Sequence, residues 1–218
     1  MSPSDYTEDL LVERPAVRLF EDLGWATISA SEESFGSAEP SSQPFPRGRG
    51  SWLGRETKSE VVLVPKLRSA LERLNPELPA DAINSAVDEL ARDRSAMSLA
   101  GANREVWDSL RDGVRVSVAD RERGGLKTER VRVIDWDRPQ ANDFLLVCQM
   151  TITGDLYTCR PDLIGFVNGL PFVVIELKKP GVPARQAFDE NLTSYKHLQN
   201  GIPAAFLVQR PADRLERQ

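Results

Sequence analysis

Arg160-Pro161-Asp162-Leu163-Ile164-Gly165-Phe166-Val167-Asn168-Gly169-Leu170-Pro171-Phe172-Val173-Val174-Ile175-Glu176-Leu177-Lys178-Lys179-Pro180 reads as two apolar strands around a turn. An acid precedes the first strand, and Glu176-Leu177-Lys178 closes the second. Alternate side chains of a strand share a face. Val174, Glu176 and Lys178 therefore point one way, and Val173, Ile175 and Leu177 point the other, into the core. Whether Asp162 joins Glu176 depends on the turn. Asn168-Gly169 favours a two-residue type I′ turn. Val167 then pairs with Leu170 and Asp162 with Ile175, which sends Asp162 to the wrong face. A three-residue loop, Val167-Asn168-Gly169, pairs Phe166 with Leu170 and sets Asp162 opposite Val174, on the Glu176 face. We expect that loop, or a bulge near Pro161 with the same effect.

Three charges on otherwise apolar strands need a reason. Two carboxylates at close range repel unless a cation lies between them. Magnesium prefers oxygen ligands, keeps several waters, and is often held by one or two carboxylates plus a phosphate. Asp162, Glu176 and the backbone carbonyl of Leu177 are the candidate metal ligands. Lys178 is then placed to orient or deprotonate a water, or to stabilise charge developing on a phosphorus centre. Glu-x-Lys alone is a common pattern. Pro-Asp, apolar strand, turn, apolar strand and Glu-x-Lys in that order is far more specific.

Downstream, residues 184–199 read as a helix with Ala184, Phe188, Leu192 and Tyr195 on one face, stopped by Gly201. Asn191 and Tyr195 are four apart and share a side of that helix. An amide and a phenol there would hold a DNA phosphate or the lysine, or simply form a half-buried surface. Residues 204–209 read as a final strand. Upstream, residues 144–151, 114–118 and 129–135 carry strand patterns, and the last two resemble a hairpin. Residues 62–74, 79–91 and 99–111 read as helices. Residues 7–23 read as a helix interrupted at Pro15 and ended by Gly24. Residues 29–51 are rich in Ser, Glu, Pro and Gly and read as a flexible loop, with Arg47-Gly48-Arg49-Gly50 solvated or touching phosphate.

The 218 residues carry 40% hydrophobic and 28% charged residues and a net charge of −5. No global basic field attracts nucleic acid, so contact with DNA must come from a local patch, a bound cation or another subunit. Cys148 and Cys159 fit no metal-ligand spacing and read as core thiols of a reducing compartment. His197 is the only histidine, which excludes His-rich metal sites. No apolar run approaches the roughly 20 residues of a membrane span, and the N-terminus lacks signal-peptide character. A cytoplasmic location is expected.

The chain resembles the N-terminal region of the R (restriction) subunit of type I restriction-modification enzymes. The resemblance rests on Pro161-Asp162, Phe166-Val167-Asn168-Gly169-Leu170-Pro171 and Val173-Val174-Ile175-Glu176-Leu177-Lys178. Leu23-Gly24-Trp25, Leu74-Asn75-Pro76, Ala102-Asn103-Arg104, Leu110-Arg111-Asp112-Gly113-Val114, Val133-Ile134-Asp135-Trp136, Asn142-Asp143-Phe144, Ala187-Phe188 and Tyr195-Lys196 extend it to about Val208. The element pattern reads as one α/β domain with a central mixed sheet flanked by helices and a helical insertion ahead of it. The resemblance implies a restriction-endonuclease-like PD-(D/E)xK fold, with Asp162, Glu176 and Lys178 at the catalytic positions. It further implies Gln-x-x-x-Tyr on the following helix. Here Asn191 stands where Gln is usual and Tyr195 carries over. An acid on the first helix is also implied, and Glu8 and Glu13 are both candidates.

The expected organisation is an N-terminal helical segment (1–28), a flexible loop (29–51), a helical insertion (52–113), a nuclease sheet core (114–209) and an aberrant or truncated tail (210–218). The expected function is that of a Mg2+-dependent endonuclease domain cutting double-stranded DNA. Its partners would be the methyltransferase and specificity subunits of a type I complex. ATP would enter only through a translocase motor, whose Gly-x-x-x-x-Gly-Lys-Ser/Thr loop does not occur in this sequence. The alternative is an inactive remnant or a non-catalytic module docking on a methyltransferase complex.

Overall fold

The computed structural model describes residues 9–36, 52–119, 124–154, 156–196 and Ala205. Expectations placed on Thr7, Glu8, residues 37–51, His197, Gly201, the tail and all of the final strand but Ala205 lie outside the described residues.

Helix periodicity, strand alternation and turn residues set the element order. A π turn (Asp9–Glu13) runs into α1 (Arg14–Asp22), followed by β1 (Ala26–Ser29). Pro15 sits in the first turn of α1, immediately after the π turn, so the expected interruption falls at the junction of the two pieces. Next come α2 (Val64–Leu74), α3 (Ala80–Ala91) and α4 (Leu99–Asp112), then the hairpin β2 (Val114–Ala119) and β3 (Leu126–Val131). A short 3-10 turn (Pro139–Ala141) leads to β4 (Phe144–Cys148), the small pair β5 (Ile152–Thr153) and β6 (Thr158–Cys159), and the central hairpin β7 (Leu163–Val167) and β8 (Leu170–Ile175). A last helical run comprises α5 (Ala184–Gln186), a π segment (Ala187–Leu192) and α6 (Thr193–Tyr195).

The main sheet has the order β1-β4-β7-β8. β1 and β4 are parallel, and the other pairs are antiparallel. The architecture is thus α/β with a mixed sheet. Both faces of the sheet are covered, in keeping with the expected sheet flanked by helices. Ile164, Phe166 and Val174 pack on one side with Leu53, Leu63 and Met150, and with Leu192 and Tyr195 from the last helical run. Leu146, Cys148 and Leu163 pack on the other side with Val17 and Phe20 of α1, and with Ile175 and Leu177. Leu177 therefore lies on the α1 side, as strand alternation requires. The expected apolar face of the last helix is not continuous: Phe188 is 54% exposed. The wider π segment shifts the angular position of residues before Leu192, so a 3.6-residue period no longer brings Phe188 into line with it.

The central turn differs from the expected three-residue loop. Val167 pairs with Leu170, leaving a two-residue turn in which Asn168 and Gly169 have φ of 51° and 81°. Phe166 pairs with Pro171, but Gly165 pairs with Val173, so Phe172 is an extra residue bulged out of β8. Beyond it Ile164 pairs with Val174 and Leu163 with Ile175. One step further, Asp162 falls opposite Glu176. The bulge lies in β8, not near Pro161, and it supplies the one-residue correction that a straight ladder lacks.

The turn is pinned from below. The Asn168 side-chain amide donates to the Val133 carbonyl (2.8 Å) and to Asn142 Oδ1 (2.9 Å), and Asn168 Oδ1 accepts from the Asp143 N–H (2.8 Å). The side chain is fully buried and fully partnered, which meets the requirement for a polar group in a core. Gly169 is required: a Cβ there would meet the Leu63 carbonyl oxygen and the Leu67 nitrogen, both at 2.7 Å. Backbone atoms cannot give way, so α2 is docked directly on the turn.

The β2–β3 hairpin pairs with no strand of the main sheet among the described residues. Its alternating Val114, Val116 and Val118 bury against α2, α3 and α4 in one cluster that also takes in Val167 and Leu170. Arg55 fastens the segment before α2. Its guanidinium is fully buried and binds Glu33 through both carboxylate oxygens, the Glu60 carbonyl (2.9 Å) and the Thr151 carbonyl (3.0 Å). No helix among the described residues is long and apolar enough to cross a membrane.

Candidate functional site

The site lies where β7 begins and β8 ends. Asp162 is fixed there by backbone geometry. Its Oδ2 accepts from the Leu177 N–H at 2.7 Å, and its Oδ1 accepts from the Gln149 side-chain amide at 3.4 Å. The Asp162 carbonyl accepts from the Gln149 N–H at 2.8 Å, extending the β4–β7 ladder by one bond. A carboxylate tied at both oxygens keeps its rotamer and retains lone pairs for a further ligand.

Glu176 sits half-buried beside it. Burial pushes its carboxyl up from 4.5 to about 7, with the Asp162 carboxylate adding to the effect and the Tyr195 hydroxyl and Lys178 ammonium opposing it. Its Oε1 is buried and has no hydrogen-bond partner among the described residues. Tyr195, hydrogen-bonded to Glu176, is itself held above the usual phenol range, first by burial and then by that bond. Burial, and then the Glu176 charge, also raise the nearby Cys159 thiol. Cys148, on the α1 side, is pushed up to about 11 by burial, with Glu13 and Glu21 contributing. Both cysteines are free thiols.

Lys178 Nζ donates to Asn191 Oδ1 at 2.9 Å. The shorter amide side chain at position 191 thus still reaches the lysine, and Asn191 and Tyr195 meet the strand end from one side of the helical run. Glu176 and Lys178 both face this run, while Leu177 between them faces α1. Glu13 comes from the α1 side, where its Oε2 accepts from Gln149 Nε2 at 3.1 Å. Of the two N-terminal candidates, Glu13 is placed near the site and Glu8 lies outside the described residues.

Gln149 escaped the sequence reading. Its only signal was a polar residue between buried Cys148 and buried Met150, and its backbone φ of 57° carries no sequence mark in a non-glycine residue.

The donors at the strand end suit a hard cation. Asp162 and Glu176 offer only oxygen, and the orphaned Glu176 Oε1 is a buried acceptor in need of a partner. Among the described residues no group of three or more His, Cys, Asp or Glu side chains is arranged to hold a metal. Two carboxylates leave most positions to water and phosphate, as Mg2+ sites do.

The raised Glu176 carboxyl gives the fold a pH dependence of definite sign. An acid whose folded pKa is raised stabilises the fold fully below its unfolded pKa, and this contribution is lost as pH rises through the folded value. Glu176 therefore stabilises the fold below the ordinary 4.5 and ceases to do so as pH passes about 7. In EDTA, the thermal midpoint is expected to fall from about pH 5 to about pH 8 more steeply than that of Glu176→Gln, whose amide does not titrate. Calorimetric scans of both across this range decide it, and parallel curves would contradict the assignment.

The family model described as the type I restriction enzyme R protein N terminus matches residues 5–207, and the chain belongs to this family. It is similar to the endonuclease subunit of the type I restriction enzyme HindI from Haemophilus influenzae. The two are 36% identical over 170 residues, which is 78% of this chain and 15% of that protein. It is also similar to a subunit from Methanocaldococcus jannaschii, provisionally named the type I restriction enzyme MjaIXP endonuclease subunit. There the identity is 25% over 199 residues, 88% of this chain and 17% of that protein. The chain thus spans 15% and 17% of the length of these curated relatives.

Proposed function

We propose that this chain is the endonuclease domain of a type I restriction R subunit, with a PD-(D/E)xK fold, cutting double-stranded DNA with Mg2+ in the restriction of foreign DNA. The observation that carries the reading is the bulge in β8: the register it sets, continued one step past Leu163 and Ile175, brings Asp162 opposite Glu176, and the two carboxyls interact, whereas a straight two-residue hairpin would not bring them together. A bulge that re-aims a side chain is a common device next to active sites. Family membership and the similarity to endonuclease subunits support the same conclusion.

Asp162, Glu176 and the Leu177 carbonyl would hold the metal. When bound, Mg2+ would polarise a phosphate oxygen and ease deprotonation of a water. Lys178 is the group for the proton and the developing charge. Asn191 takes one of its three N–H donors, leaving two for a water and a phosphate oxygen. Tyr195 fixes Glu176 in place. The Leu177 N–H and the Gln149 amide prevent Asp162 from swinging away.

The methyltransferase and specificity subunits would read the target sequence, which suits a net charge of −5 on this chain. ATP would act through a motor elsewhere in the complex. The test is DNA cleavage by a complex whose R subunit carries Asp162→Ala. Loss of cleavage is expected, and an unchanged rate would refute the assignment.

A further inference from the structure

We infer that Gln149 is a positioning residue for the carboxylate pair, and that Glu13 acts on the site through it rather than as a metal ligand. The inference rests on the metal site proposed above. Gln149 and Asn168 are the only non-glycine residues with positive φ among the described residues. For Asn168 a type I′ turn explains the conformation. Gln149 lies outside any such turn, immediately after β4, and a left-handed backbone is strained for a side chain of this kind. Such strain persists where the surrounding structure over-determines it, often at functional sites.

The side chain spans two elements. Nε2 donates to Glu13 Oε2 at 3.1 Å and to Asp162 Oδ1 at 3.4 Å. Both partners are carboxylates, so only the NH2 end of the amide can face them. Its two N–H bonds match the two acceptors. A neutral double donor thus holds together two anions that would otherwise repel. The backbone N–H of the same residue fixes the Asp162 carbonyl at 2.8 Å. Asp162 is clamped to β4 and, through Gln149, to the end of the π turn that carries Glu13. Glu13 lies one amide away from the metal position, consistent with no three-carboxylate group of metal-holding arrangement among the described residues.

The experiment is calorimetric titration of the 218-residue chain with MgCl2, alongside thermal unfolding in EDTA. Gln149→Met keeps the volume and removes the donors. Gln149→Gly removes the side chain and relieves the left-handed backbone. Both are expected to weaken Mg2+ binding by roughly tenfold to a hundredfold, the range for groups that orient metal ligands. Gln149→Gly should do so with its metal-free midpoint within a few degrees of the parent, which a purely structural role would not give. Glu13→Gln is expected to weaken binding in the parent and to add nothing in the Gln149→Met background, because its effect passes through the amide. Asp162→Ala separates the two levels of the claim. If it abolishes binding while both Gln149 variants bind like the parent, the positioning role is overturned and the site stands. If it binds like the parent, the site itself has failed. An equal Glu13→Gln effect in both backgrounds would make Glu13 a direct ligand and overturn its placement behind Gln149.

Discussion

Lys178→Ala, placed in the R subunit of an assembled complex, is expected to slow DNA cleavage by on the order of 10²- to 10⁴-fold, the range for a positioned acid–base group. Magnesium binding should remain. The ammonium sits on the Asn191 amide at 2.9 Å and contributes no acceptor to the metal position. Asp162→Ala is expected to behave differently, because it removes a proposed ligand and should lose binding and cleavage together. The split between the two variants would be the signature of the proposed site, in which one residue would hold the ion and the other would act on the reacting groups. Lys178→Arg should not restore the rate. A planar guanidinium does not reproduce the compact three-donor ammonium at the end of a fixed strand. Wild-type cleavage by the Lys178→Ala complex would remove the lysine from the chemistry.

Arg55→Met is expected to have the largest effect on stability, about 3–5 kcal/mol, because it strands the carboxylate of Glu33 in a buried position. The Glu33 side chain is 3% exposed and Arg55 is fully buried, so water cannot replace the lost partner. The Glu60 and Thr151 carbonyls lose their donor in the same step. The double variant Arg55→Met/Glu33→Met should recover most of the loss, since replacing a whole buried ion pair by apolar groups is often neutral. Urea unfolding of the parent, both single variants and the double completes the cycle. A double variant no more stable than Arg55→Met would show that the guanidinium acts through the carbonyls alone. The pair matters to the site because Thr151 lies two residues from Gln149.

Much of this was legible from local rules. Strand alternation put Glu176 and Lys178 on one side and Leu177 on the other, and the packing agrees. The four-residue spacing placed Asn191 and Tyr195 together, and both meet the strand end. The sequence also showed that Asp162 needed one extra residue somewhere in the hairpin. It did not show where. An extra residue can be absorbed in a turn or along either strand with similar local geometry, and the choice is tertiary. The buried amide of Asn168, tied to Val133, Asn142 and Asp143, holds the turn at two residues and leaves the slack to Phe172. The same tertiary character hid the π segment that exposes Phe188 and the left-handed Gln149, because neither follows from propensity or period. Arg55 was also invisible, since its partners Glu33 and Thr151 lie 22 and 96 residues away.

The β8 bulge brings Asp162 and Glu176 together, and the proposed site uses the pair to hold one metal ion. Anomalous diffraction from crystals of this chain grown with Mn2+ in place of Mg2+ tests it most directly. The expected result is a peak within about 2.5 Å of at least one oxygen from each carboxylate, with Lys178 unliganded. A map with no peak there at saturating Mn2+, or with Asp162 and Glu176 turned to opposite faces of the sheet, would contradict it.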